Sequence, residues 1–340
     1  MKKISIVVPC YNEEKSVHTM HSVITKLFQE ELRKYDYELI FCDDYSTDKT
    51  RDELKQICTK DKKVKAILNS KNFGFNRNVF YGLTQGTGDV VFLVFGDLQD
   101  PPELLPEFVK RWEEGYKVII GQKSHSDENK FVYFCRTVFY KVMDKLSLVK
   151  QTEHFNGFGL YDKMFIDVLR GIDDPNPYLK GIVGEFGMHQ YILKYNQHES
   201  ARGKSNFNFS KYYDVAMLGI TSYTKSLMRL ATFVGGLLGI LSTIFAIIIF
   251  ICKLADWNGF PAGLPSIIIG VFFIGAVELF FMGILGEYIL SINTRMLKRP
   301  LVVPEEKLNF QNILEENREE NNATNADTIL GENREYDKFD

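Results

Sequence analysis

The sequence predicts an α/β fold, a mostly parallel sheet domain followed by interfacial helices and two transmembrane helices. Three observations predict it. Short apolar runs alternate with helical stripes through the first hundred residues, the pattern of a wound parallel sheet. Each of those runs empties into a loop rich in acids and amides. Beyond residue 229 come two blocks with almost no charge, each long enough to cross a bilayer.

The elements follow in order. "KISIVVP" reads as a buried strand over 4–8, halted by Pro9. Val17, Met20, Ile24 and Leu27 then form a helical stripe. "YELIFCDD" is a second strand ending on Asp43 and Asp44, and "STDKTRDELKQIC" opens a helix with Ser46 or Thr47 as its cap. "VKAILN" is a third strand, followed by the turn-rich "SKNFGFNRN". "DVVFLVFGD" is the fourth. The loops after these strands carry Pro9, Tyr11, Asn12 and Glu13; Asp43, Asp44 and Ser46; Lys71, Asn72 and Gly74; and Asp97, Gln99 and Asp100. In an open parallel sheet they share one edge, where ligands bind at the carboxyl ends of strands. The chain has neither G-x-x-x-x-G-K-[ST] nor G-x-G-x-x-G, which excludes P-loop and dinucleotide-binding readings.

The 340 residues suffice for one or two domains, and a net charge of −3 argues against a nucleic-acid partner. Five scattered cysteines without a C-x-x-C pair suit a reducing compartment and give no zinc signal. The apolar run of "MKKISIVVPC" is too short for a cleavable signal. Block 230–251 is uncharged and, as a helix at ~1.5 Å per residue, about 33 Å long against a hydrocarbon core of ~30 Å. Block 264–286 carries one ionisable residue, Glu278. Lys225 and Arg229 precede the first block, and Arg295, Lys298 and Arg299 follow the second, which places both termini in the cytoplasm. Trp257 and Phe260 then sit at the outer interface.

The preceding stretch mixes Phe, Tyr, Met and Leu with lysines, as a helix lying on the lipid surface does. Glu278 is costly in lipid and points to a homo-oligomer, as does the Gly235-x-x-x-Gly239 spacing. The expected domains are a sheet domain over 1–205, interfacial helices over 206–229, a two-span hairpin over 230–288 and a cytoplasmic tail over 289–340. That tail is polar and is expected to be disordered from about residue 305, and its topology argues against glycosylation of the "NAT" at Asn322.

"IVVPCYNEE", "CDDYSTDKT", "KNFGFNRN" and "GDLQDPPEL" together resemble the family 2 glycosyltransferases with a GT-A fold. With two spans behind them, the chain resembles the polyprenyl-phosphate glycosyltransferases, the group of dolichyl-phosphate mannose synthases and bactoprenol glucosyltransferases. The resemblance covers roughly residues 1–300. It implies an inverting sugar transfer from a UDP- or GDP-linked nucleotide-sugar to a membrane polyprenyl phosphate, undecaprenyl or dolichyl, at the cytoplasmic face of a bacterial plasma membrane. It further implies that Pro9, Tyr11 and Glu13 border base and ribose, that Asp44 with Asp43 accepts from the base, and that Asn72 lies near the nucleotide. A carboxylate accepts from uracil and guanine alike, so the base stays open. The cofactor implied is Mg²⁺ or Mn²⁺ on Asp97 and Gln99. The cations implied for the phosphate are Lys123, Arg136 and Arg202, with Lys204 beside the last.

Two departures stand out. The fourth loop usually reads D-x-D-x-Q in the family, whereas here Phe95 occupies the first acid position. The family's G-D-F-R-L segment aligns with Asn156-Gly157-Phe158-Gly159-Leu160, which lacks both charges; Glu153 and His154 are the nearby groups that would compensate. These losses are tolerable because a phosphate monoester, with a second pKa near ~6, arrives as an anion and needs no general base. The rival reading is a catalytically degenerate membrane scaffold or flippase partner. A processive polysaccharide synthase would need Q-x-x-R-W and further spans.

Overall fold

A computed structural model describes residues 1–123, 152, 155–186, 188–197, 217–218, 221, 233–238, 240–241, 244, 247–248, 251 and 264–310. Among these residues eight strands form one sheet: β1 (Lys3–Cys10), β2 (Asp36–Asp43), β3 (Val64–Asn69), β4 (Val90–Leu93), β5 (Val118–Lys123), β6 (Gly159–Asp162), β7 (Gln190–Tyr195) and β8 (Pro304–Leu308). Their order is β7-β5-β6-β4-β1-β2-β3-β8. The block β4-β1-β2-β3 is parallel, as the alternating pattern predicts. Antiparallel pairings of β6 with β4 and β5, and of β8 with β3, make the whole sheet mixed. β5 and β7 pair in parallel. The central strands are buried on both faces, with Ile4, Ile6, Val7, Val8, Leu39, Ile40 and Phe41 fully enclosed. Each such side chain contributes roughly 1.5–3 kcal/mol through burial.

The helices cover this sheet with the stripes legible in the sequence. On α1 (Val17–Glu30) the buried residues are Val17, Met20, Ile24, Leu27 and Phe28. α2 (Thr50–Lys60) starts later than its sequence cap suggests, because Ser46 and Thr47 are drawn into loop bonds to Asp43 and Asn12. α3 (Phe75–Gln85) begins inside the segment read as turn-rich, directly after Gly74 at φ 93°. α4 (Leu105–Glu113), α5 (Lys163–Arg170) and α6 (Leu179–Glu185) complete the described soluble part.

Pro9 does not halt β1, which continues in register with β2 to Cys10. Val7 and Pro9 turn their carbonyls toward the chain leaving β4, accepting from Val94 and Gly96. β4 has already ended at Leu93, so the N–H that proline lacks faces no ladder partner. A second correction concerns the tail. Residues 304–308, expected at the onset of disorder, form the edge strand β8 against β3. Its Pro-Glu-Glu-Lys composition hid it, since the order of β8 comes from pairing with β3, with Leu308 and Phe310 packed against the core.

One helix among the described residues is long and apolar enough to cross a membrane. It is α7 (Leu264–Met296), within which Phe273–Met296 meets that test and is unburied. Val271, Phe273, Leu279, Phe280 and Met282 are exposed along it, as is Glu278. Block 230–251 is described at 12 of its 22 positions, all helical, and the linker between the two expected spans, 252–263, lies outside the described residues. The expected interfacial helices at 206–229 lie there too, except Met217, Leu218 and Thr221.

At the sheet edge opposite the strand-end loops, Glu38 is 2% exposed yet pairs with Lys3 at 2.9 Å and Lys65 at 2.8 Å. It also accepts from Ser5 and from the Thr87 N–H and hydroxyl. Burial alone would raise its carboxyl, but the bonds from Lys65, Ser5, Lys3 and Thr87 outweigh it and hold it at about 2. A depressed folded pKa gives stability that is full above ~4.5 and is lost as pH falls through about 2. Glu38→Gln is expected to cost about 2–3 kcal/mol at neutral pH. Thermal unfolding across pH 2–6 checks this, with the variant showing a shallower acid limb than the wild type.

Candidate active site

The carboxyl ends of β1, β2, β3 and β4 bring four loops to one edge, and each loop has one residue in the left-handed region. These are Asn12 (φ 58°), Tyr45 (φ 66°), Gly74 (φ 93°) and Leu98 (φ 57°). For the three that are not glycine this costs of order 1 kcal/mol each, and it persists only where surrounding bonds over-determine the turn.

Those bonds run between loops. The Asn12 N–H donates to Ser46 Oγ at 2.8 Å, and the Thr47 N–H donates back to Asn12 Oδ1 at 2.8 Å. The Glu13 N–H donates to Thr50 Oγ1 at 2.7 Å. The Asp44 N–H reaches the Cys10 carbonyl at 3.0 Å. Asp44 itself is buried and accepts from Asn69 Nδ2 (3.1 Å), the Phe73 N–H (2.9 Å) and the Gly74 N–H (2.8 Å). A carboxylate has about four acceptor positions. Three of Asp44's are therefore committed to holding the third loop, and its chief partners are protein groups rather than an open pocket. Asp43 is fully buried, accepts from the Ser46 N–H at 3.1 Å and from its hydroxyl, and lies 3.7 Å from Arg51. Burial pushes its carboxyl above the usual range, partly opposed by Ser46 and Arg51.

The fourth loop turns at Leu98, where the Gln99 N–H closes onto Asp97 Oδ1 at 3.2 Å. Gly96 permits this turn to approach β1, since a Cβ there would stand 3.2 Å from Glu13 Cγ and 3.3 Å from Cys10 Cβ. Asp97 and Gln99 are half-buried, and Gln99 Oε1 accepts from Gln197 Nε2 at 3.1 Å. Asp100 is 1% exposed and joins this loop to three others. It accepts from Asn156 Nδ2 (2.7 Å) and from the Tyr195 hydroxyl, and Lys123 Nζ lies 4.0 Å away. Burial and the neighbouring Asp100 carboxylate push the Tyr195 phenol well above its ordinary range, so it stays a donor. Sequence reasoning noted Asp100 as a loop acid but missed this junction. The signal was its place immediately before Pro101-Pro102, where a buried acid secures a turn.

The two departures from the family pattern meet in space. Phe95 is buried and tilts against Phe75 at 5.3 Å between ring centroids. A Cβ on Gly157, at φ 113°, would lie 3.6 Å from Phe95 Cζ and 3.4 Å from Leu93 Cδ2. A Cβ on Gly159 would lie 2.5 Å from the Ile119 carbonyl oxygen, so an arginine has no room there. The absent charges are replaced by one apolar contact group.

Of the residues expected at the site, Pro9, Tyr11, Glu13, Asp43, Asp44, Asn72, Asp97, Gln99 and Lys123 all lie at this edge. Pro9, Glu13, Asp43 and Asp44 are buried; Tyr11 and Asn72 are exposed. Tyr11, Tyr45 and Phe75 present aromatic rings to solvent from three of the four loops. Glu153, His154, Arg136, Arg202 and Lys204 lie outside the described residues. No group of three or more His, Cys, Asp or Glu side chains is gathered for a metal among the described residues. Asp97 and Gln99 nevertheless offer one carboxylate and one amide oxygen, a hard-oxygen set suited to a Mg²⁺ that keeps water and phosphate ligands.

Residues 5–169 match glycosyl transferase family 2. The chain is 30% identical over 299 residues to the SfII prophage-derived bactoprenol glucosyl transferase of Shigella flexneri, covering 88% of this chain and 96% of that protein. It is 29% identical over 299 residues to the prophage bactoprenol glucosyl transferase homolog of Escherichia coli (strain K12), covering 88% and 97%. Among solved structures, the glucosyl-3-phosphoglycerate synthase from Mycobacterium tuberculosis in complex with Mn²⁺, UDP and phosphoglyceric acid is 18% identical, with a TM-score of 0.43 over 65% of this chain and 76% of that one.

Replacing Asp44 by Asn sets an amide NH2 against either the Gly74 N–H or the Phe73 N–H and Asn69 amide, which bond different oxygens of the carboxylate. We expect a loss of about 1–3 kcal/mol in stability and faster amide exchange at Phe73 and Gly74, measured by thermal unfolding and hydrogen exchange.

Proposed function

The chain belongs to glycosyl transferase family 2, and from that premise we propose that it transfers a sugar, with inversion, from a nucleotide-sugar to a membrane polyprenyl phosphate. The observation that carries this reading is the convergence of the four loops, cross-bonded and opening beside the Asp97–Gln99 turn and Lys123. The match to bactoprenol glucosyl transferases along most of both chains supports the acceptor class.

In this reading the exposed rings of Tyr11, Tyr45 and Phe75 offer stacking surface for a base, with Asn72 on the same rim. Asp43 and Asp44, the acids proposed to accept from the base, lie buried at the end of β2 behind these rings. The reaction breaks the bond between the sugar's anomeric carbon and the nucleoside diphosphate, and forms one from that carbon to an acceptor phosphate oxygen. The nucleophile is already anionic, so the protein's work is to hold two anions in line and to stabilise the leaving diphosphate. Asp97 and Gln99 would hold a divalent cation, which when bound neutralises charge developing on the diphosphate. Lys123, aimed by Asp100, places a positive charge at the same edge, and Arg136 and Arg202 are proposed to add to it. α7 would hold the domain at the bilayer, together with the expected span over 230–251.

The test is to incubate the full-length protein with UDP-glucose or GDP-mannose, Mg²⁺ or Mn²⁺, and undecaprenyl phosphate, and to look for lipid-linked sugar. Product is expected from the wild type. Asp97→Asn and chelation of the metal should each lower it by roughly 100-fold or more, a magnitude typical of losing charge stabilisation in the transition state. Unchanged turnover in Asp97→Asn would sink the metal assignment, and no product with any donor would favour the scaffold reading.

A further inference from the structure

The strand that follows the apolar helix is joined to the donor loops by a continuous line of polar contacts. α7 ends at Met296, and eight residues later the chain enters β8 on the free edge of β3. From β8, Glu305 Oε2 accepts from Arg51 Nη2 at 2.7 Å. Arg51 stands on the first turn of α2, and its Nε lies 3.7 Å from Asp43 Oδ2. Asp43 accepts from the Ser46 N–H and hydroxyl, and Ser46 Oγ in turn accepts from the Asn12 N–H. The Arg51 guanidinium also faces the Tyr45 ring, 5.6 Å from its centroid. One cation therefore touches the buried acid of the second loop, the exposed ring of that loop and the strand beyond the membrane-facing helix.

We propose that Arg51 is a positioning residue for nucleotide binding and that Glu305 orients it, so that docking of β8 sets the geometry of the first two strand-end loops. This rests on the donor reading above. Removing Glu305 takes away the 2.7 Å contact of Arg51, whose side chain is 22% exposed, and leaves the guanidinium held only by the longer 3.7 Å approach to Asp43 and the Tyr45 ring. Asp43 then loses its fixed counter-charge, and the Ser46–Asn12 bond loses its anchor. The same strand contains its own control. Glu306 pairs with Lys55 at 2.7 Å, an edge contact of comparable length that stands apart from the Arg51–Asp43 line.

The experiment uses full-length protein, with UDP and GDP as binding probes and the transfer assay above for kinetics. Glu305→Gln is expected to weaken binding of whichever nucleotide the wild type takes, and to raise the donor KM, by about three- to fivefold, the scale of a half-exposed ion pair. Its kcat should stay within about twofold of the wild-type value. Glu306→Gln should change neither, although both variants lose an edge ion pair and should melt alike. The exchange R51E/E305R separates the relay from a simple staple. It restores the surface pair but sets a second carboxylate against Asp43, so nucleotide binding should stay at least as weak as in Glu305→Gln and thermal stability should not recover. Equal KM values for Glu305→Gln and Glu306→Gln, or recovery of binding in the exchange, would overturn the relay. A wild type that binds neither nucleotide would overturn the donor reading, and the relay with it.

Discussion

The buried carboxylate of Asp44 is the contact on which the site's shape depends. It closes β2 and takes three N–H donors from β3 and the loop after it, two of them main-chain. A charged acceptor with backbone donors is among the stronger hydrogen-bond arrangements available in a protein interior. Its own N–H meanwhile reaches back to β1 at the Cys10 carbonyl. Three loops that share no sequence are thus tied through one residue. The left-handed turns at Asn12, Tyr45 and Gly74 are held on either side of it. Asp100 repeats the arrangement on the far side, gathering β5, β7 and the Asn156 turn around the fourth loop. The edge is built from two buried acids, with the chemistry-bearing groups displayed between them.

This division of labour changes what an acid in these motifs means. Asp44 and Asp100 are motif acids, yet their acceptor positions are filled by protein donors. Asp97 lies half-buried beside them, and its carboxylate closes the turn at the Gln99 N–H. The family's absent acids belong to neither class. Phe95 packs against Phe75 and near Gly157, whose φ of 113° disfavours any side chain, while at Gly159 the Ile119 carbonyl leaves no room for one. The losses are coupled: the ring that replaced one acid occupies the ground beside the glycine that replaced the other.

The parallel block was legible because β1 to β4 are predominantly apolar runs, with Ser5, Glu38 and Lys65 as polar interruptions, and α1 shows a clean 3.6-residue stripe. The shared edge followed from topology alone. What could not be read was everything decided by contacts distant in sequence. The start of α2 moved because Ser46 bonds Asp43 instead of capping the helix, a choice between two local bonds that propensity does not rank. β8 was missed because Pro-Glu-Glu-Lys has the composition of a solvated tail, and its order comes from pairing with β3, 235 residues earlier at Asn69 and Pro304. The Tyr195–Asp100 contact spans 95 residues and leaves no periodic trace.

Charge explains why so lean a site remains consistent with transfer. Both proposed substrates bring phosphate, and the acceptor brings a nucleophile that needs no proton removed. Each additional carboxylate near them would add repulsion of several kcal/mol at low effective dielectric unless a metal or a cation stood between. Where a sugar hydroxyl is the acceptor, a base must be present and that repulsion tolerated. Where the acceptor is an anion, Phe95 and Gly157 in place of two acids remove like charges from this edge. The same reasoning puts the weight of catalysis on the positive side of the site. Lys123 is the one expected catalytic cation among the described residues, and it is oriented by Asp100 rather than by the acids that the family pattern would have placed at 95 and 157.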